Sequence, residues 1–115
     1  MVVDDDEPVR EAIAEVLAFD GYAVRVARDG AEAMKVLRDV PRPCVALIDL
    51  IMPRIDGWEL ARAIHEDPQL GDIPIICSSA GRDAPPSGCA AVLNKPFDDA
   101  ALEAAVRTAF ATLKH

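Results

Sequence analysis

Two uninterrupted apolar runs constrain this chain more than any other feature: Cys44-Val45-Ala46-Leu47-Ile48, and Ile73-Pro74-Ile75-Ile76-Cys77. A strand with one wet face alternates apolar and polar residues. A strand with no polar position must be covered on both faces, as are the inner strands of a parallel sheet with helices on either side. The intervening segments read as those helices. Residues 8–19 carry Ile13, Val16 and Leu17 on one stripe, with Asp6 or Glu7 available as a cap, Pro8 in the first turn and Gly21 at the exit. Residues 31–37 follow Asp29-Gly30, residues 58–65 stop before Pro68, and residues 98–113 carry Leu102, Ala105, Val106, Ala109 and Phe110 on one stripe. Val2-Val3, 22–27 and 90–93 read as further strands. Strand alternating with helix predicts parallel strands joined by right-handed crossovers, in an α/β domain.

The 115 residues fit one domain, assigned here to 1–115, and 51% of them are hydrophobic, enough for a buried core. The net charge of −8 argues against nucleic acid and against an anionic membrane surface as partners, and favours a cation or a basic protein. No apolar stretch approaches the length of a membrane span, and no signal peptide is visible, so the expected location is the cytoplasm. Three cysteines, Cys44, Cys77 and Cys89, lack metal-ligand spacing and are expected to be reduced core residues.

An open parallel sheet carries its site at the carboxyl ends of its strands. The polar residues fall there: Asp4, Asp5 and Asp6 after the first strand, Asp49 after the third, Ser78 and Ser79 at the end of the fourth, Lys95 after the fifth. Three carboxylates and a lysine on one rim suit Mg²⁺, which takes oxygen ligands. An aspartate, with an ordinary pKa of about 3.9, is ionised at neutral pH and attacks phosphorus without a base. The remaining task is electrostatic, and a metal ion, Lys95 and the Ser79 hydroxyl are suited to balancing charge on phosphoryl oxygens.

The runs Val2-Val3-Asp4-Asp5-Asp6, Asp49-Leu50-Ile51-Met52-Pro53-Arg54-Ile55-Asp56-Gly57, Ser79-Ala80 and Lys95-Pro96-Phe97, in that order, resemble the receiver domains of two-component response regulators over nearly the whole chain. The resemblance implies a doubly wound, flavodoxin-like sheet of five parallel strands in the order 2-1-3-4-5. It implies Asp49 as phosphoacceptor, Asp5 as direct Mg²⁺ ligand with Asp4 acting through water, and the Ile51 backbone carbonyl completing the metal set. Ser79 becomes the switch hydroxyl and Lys95 the phosphoryl-binding lysine, with a Lys95-Pro96 bond that is often cis. The partners implied are a histidine kinase or histidine phosphotransfer protein upstream and an unidentified protein downstream. The domain is then a signalling acceptor that assists its own phosphorylation and dephosphorylation, and not an enzyme.

Two departures stand out. The family's usual aromatic three residues before the lysine is Val92 here. The segment from Ser79 to Lys95 is short and contains Pro85-Pro86 and Gly88, so the helix normally present between strands four and five is expected to be lost or reduced to a loop. These departures keep alive an alternative, a degenerate receiver acting as a non-phosphorylated interaction module. A phosphatase of haloacid-dehalogenase type is disfavoured, because the second aspartate it requires two residues after the first is Ile51. His65 reads as an exposed helical residue, Arg10 as a surface charge, Ser78 as a plain strand-end residue and Asp56-Gly57 as a turn.

Overall fold

The computed structural model describes residues 1–41, 43–50, 57–79 and 88–114. In chain order the elements are β1 (Val2–Val3), α1 (Glu7–Phe19), β2 (Val26–Ala27), α2 (Gly30–Leu37), β3 (Ala46–Asp49), α3 (Gly57–Glu66), β4 (Ile75–Ser79), β5 (Ala91–Asn94) and α4 (Asp99–Ala111), which ends in a 3₁₀ turn, Thr112–Lys114. All strand pairs are parallel, and the sheet order is β2-β1-β3-β4-β5. This is the flavodoxin-like arrangement that the resemblance implies.

The apolar runs do what their lack of alternation requires. Val3, Ala46, Ile48, Ile75 and Cys77 pack under α2 and α3, against Ala33, Leu37, Leu60 and Ile64. The intervening residues Val2, Leu47 and Ile76, with Leu93, pack under α1 and α4, against Ile13, Leu17, Leu102 and Val106. Each fully buried Leu or Ile contributes roughly 1.5–3 kcal/mol of transfer free energy.

Three helices start on aspartate caps. Asp6, Asp29 and Asp98 accept the backbone N–H groups of Val9, Glu32 and Ala101 at 3.3, 2.9 and 2.8 Å. The exit of α1 is a Schellman turn. Gly21 sits at φ 97°, its N–H donates to the Ala18 carbonyl, and the Tyr22 N–H donates to the Leu17 carbonyl.

Two expectations are corrected. The strand foreseen over 22–27 forms a ladder only at Val26–Ala27, because β1 offers two residues for it to pair with. Tyr22 serves the Schellman turn instead and stacks its ring on Phe110, with centroids 5.6 Å apart. The cysteines are not all reduced: Cys77 and Cys89 form a disulfide, with Cα atoms 6.2 Å apart. Their separation of 12 residues hid a proximity that the β4–β5 pairing creates. The foreseen loss of a helix between β4 and β5 rests on residues 80–87, outside the described residues; the described residues 88–90 are not helical.

Candidate functional site

The carboxyl ends of β1, β3, β4 and β5 meet on one rim, as neighbours in the sheet. Asp4 follows β1 with its side chain almost wholly buried, and Asp49 ends β3, also buried. Lys95 follows β5 and extends between them, its ammonium 3.3 Å from Asp4 Oδ2 and 3.4 Å from Asp49 Oδ2. Exposed Asp5 completes a triad with Asp4 and Asp49: one carboxylate oxygen from each lies within 4.8 Å of the other two. Burial pushes the Lys95 ammonium toward its neutral form, but the Asp4 and Asp49 carboxylates outweigh it, and the pKa stands above its ordinary value.

Backbone contacts hold these groups in place. The second oxygen of Asp4 accepts the Asp6 N–H at 2.9 Å, so the carboxylate is fixed at the entry of α1. The Asp4 carbonyl accepts the Arg10 guanidinium at 2.9 Å. The Ser79 carbonyl accepts the Lys95 N–H at 2.8 Å, which ties the lysine to the end of β4. The Lys95-Pro96 bond is cis. Ser79 is buried at the rim, whereas Ile51 lies outside the described residues.

Several roles escaped the sequence. Arg10, read there as a surface charge, braces the Asp4 backbone from the first turn of α1. Gly57 is a close-approach glycine: a Cβ on it would fall inside contact distance of the Asp49 carbonyl oxygen and the Leu50 Cα, while its N–H donates to the Leu50 carbonyl at 3.1 Å. Only a residue without a side chain lets α3 start so near the end of β3. Ser78 is the register partner of Asp49, 2% exposed, and its hydroxyl has no hydrogen-bond partner among the described residues. A serine beside an apolar run carries no signal that its hydroxyl will go unpaired.

The donor set fits a hard divalent cation. Three carboxylates against one ammonium leave two negative charges in a small volume, which is the charge of one such ion.

A family model for the response regulator receiver domain matches residues 1–107. The chain belongs to this family. Receiver domains are the signalling modules of two-component systems, and an acidic pocket that takes Mg²⁺ is characteristic of them. Among curated relatives, the response regulator MprA of Mycobacterium sp. (strain KMS) is 40% identical over 80 residues, which is 70% of this chain and 34% of that protein. The chain thus spans about a third of the length of the curated relatives it matches. Among solved structures, a CheY-like receiver domain protein from Methanospirillum hungatei JF-1 superposes with a TM-score of 0.84 at 30% identity, covering 100% of this chain and 96% of that one. The receiver domain of a signal transduction histidine kinase from Syntrophus aciditrophicus gives 0.85 at 28% identity, covering 99% and 90%. No helix among the described residues is long and apolar enough to cross a membrane.

Proposed function

We propose that residues 1–115 form one phosphoacceptor domain, which takes a phosphoryl group from the phosphohistidine of a histidine kinase or histidine phosphotransfer protein onto Asp49. The observation that carries this reading is the Lys95 ammonium lying between the buried carboxylates of Asp4 and Asp49, with Asp5 beside them. An Asp49 carboxylate oxygen attacks phosphorus, the P–N bond to the donor breaks, and the leaving imidazole takes up a proton. Lys95 follows the new charge from the carboxylate to a phosphoryl oxygen, and the Ser79 hydroxyl donates to another. Asp4, Asp5, Asp49 and the Ile51 carbonyl would hold Mg²⁺, which supplies positive charge to the phosphoryl oxygens when bound. The Asp6 N–H and Arg10 keep Asp4 oriented throughout.

The phosphoryl group adds roughly −1.5 to −2 charge near neutral pH, by analogy with phosphorylated hydroxyls. Pulled toward it, Ser79 and Lys95 move the ends of β4 and β5, and that displacement is the signal read by a downstream protein. Val92, half-exposed on β5, offers no ring to turn inward, so transmission runs through the backbone of that edge. The domain works in the cytoplasm, acts as a signalling acceptor and not as an enzyme, and binds neither nucleic acid nor membrane directly.

Intact mass after incubation with acetyl phosphate, with and without Mg²⁺, tests the proposal. One Mg²⁺-dependent phosphoryl adduct, absent in Asp49→Asn, is expected. No adduct under any condition would refute it and leave the non-phosphorylated interaction module.

A further inference from the structure

We infer that Cys77 and Cys89 form a reversible thiol–disulfide site that takes a small-molecule disulfide as its oxidant and locks the segment carrying Ser79. Cys77 is fully buried on β4, two residues before Ser79, under the α2 and α3 face. Cys89 is half-buried and packs against the same cluster. Their Cα separation of 6.2 Å is within the range that a disulfide spans without backbone movement.

The approach to Cys89 is built for this position. Gly88 lies at φ 92°, a conformation that other residues rarely adopt, and the His65 ring covers it so closely that a Cβ there would meet His65 Cε1 at 2.9 Å. The chain thus turns on α3 and delivers the next residue, Cys89, to β4. Cys44 cannot replace Cys89 as the partner of Cys77. The register partner of Cys77 on β3 is Ile48. Cys44 lies four residues further back, roughly 13 Å along a strand that rises about 3.3 Å per residue.

The exchange balances without other reactants. The more accessible Cys89, as thiolate, attacks the external disulfide, forms a mixed disulfide and releases one thiolate. Cys77 then attacks the Cys89 sulfur and displaces the second. Two electrons pass from the protein pair to the oxidant, and the two protein protons end on the released thiols. In the cytoplasmic location proposed above, small thiols keep permanent disulfides rare, and those that form are transient and redox-responsive.

The ring closed by the bond contains Ser79 and returns the chain to the entry of β5, which delivers Lys95. Oxidation therefore ties together the two elements that must shift when Asp49 is loaded. This consequence rests on the phosphoacceptor reading, while the thiol chemistry does not.

The full chain is equilibrated with glutathione at graded ratios of reduced to oxidised form, quenched, denatured and alkylated, and its intact mass is read. The expected result is a transition from three alkylated cysteines to one, without bound glutathione, that is missing in Cys89→Ser. Three thiols at every ratio, or glutathione retained on Cys89 without ring closure, would overturn the site. Phosphorylation by acetyl phosphate is then compared between the oxidised and reduced chains. A rate at least threefold lower when oxidised, with no redox dependence in Cys89→Ser, is expected. Equal rates overturn the locking role, and no adduct in either state overturns the phosphoacceptor reading while the alkylation result stands.

Discussion

Replacing Lys95 by methionine keeps the length of the side chain and removes its charge. The ammonium lies 3.3 and 3.4 Å from two carboxylates that are 3% and 9% exposed. At an effective dielectric constant of about 20, each contact carries about 5 kcal/mol of Coulomb attraction. Desolvation of the ammonium cancels much of this in the intact protein. Removing one member of a buried cluster strands the others, at a cost of roughly 3–5 kcal/mol. Lys95 is itself 24% exposed, so the low end applies: about 3 kcal/mol at neutral pH without metal, or about 10 °C in Tm for a chain of this size. The pKa of Lys95 is raised, so its contribution is complete below 10.5 and is lost as the pH climbs through the raised value. The gap between Lys95→Met and the parent should persist from neutral pH into the alkaline range and close only there. Mg²⁺ meets the same excess of negative charge, so it should stabilise Lys95→Met more than the parent. Thermal unfolding followed by circular dichroism, across pH and with either EDTA or millimolar Mg²⁺, measures all of this. A variant as stable as the parent in EDTA at neutral pH, or equal Mg²⁺ stabilisation of both, would refute the electrostatic account.

Three further substitutions probe the frame. Alanine for glycine at a helical position ordinarily stabilises by about 1 kcal/mol, but Gly57→Ala should lose about 2 kcal/mol, because its Cβ meets the Asp49 and Leu50 backbone; a gain in urea midpoint would show that contact to be soft. Ser78→Ala removes a buried hydroxyl with no partner among the described residues and should raise stability by about 1 kcal/mol; a loss would mean that water or a ligand occupies the hydroxyl in solution. Asp67 is held below the usual carboxylate range, first by the Gln69 N–H and then, against some desolvation, by the Arg38 guanidinium. Its contribution is complete above 3.8 and is lost as the pH falls through its lower folded value. Asp67→Asn should therefore flatten the acid limb of a Tm–pH curve, and parallel limbs would rule the contribution out.

The sheet was legible because its inner strands are built on runs without a polar position, and the site because a parallel sheet gathers the polar residues at the ends of those runs. Asp4, Asp49, Ser79 and Lys95 each needed only to be counted from the end of an apolar run. What stayed hidden depends on distances between segments far apart in the chain. The apolar pattern of 22–27 extends beyond the two residues that find a partner. Cys89 meets Cys77 only once β4 and β5 pair. Gly57 resembles an ordinary turn glycine until α3 is seen seated on the Asp49 carbonyl.

The strands that meet at the rim are unequal. β3 and β4 are paired on both sides and covered on both faces, whereas β5 lies at the sheet edge with Val92 and Asn94 half-open to water. Amide hydrogens of Leu47, Ile48, Ile76 and Cys77 should therefore exchange only on global unfolding, and those of β5 through cheaper local openings. Asp49 rides on the slow part of the molecule and Lys95 on the fast part. Each local opening at the sheet edge thus withdraws the positive charge from the Asp4 and Asp49 carboxylates while β3 stays folded, so the charge balance at the rim fluctuates on the timescale of edge opening.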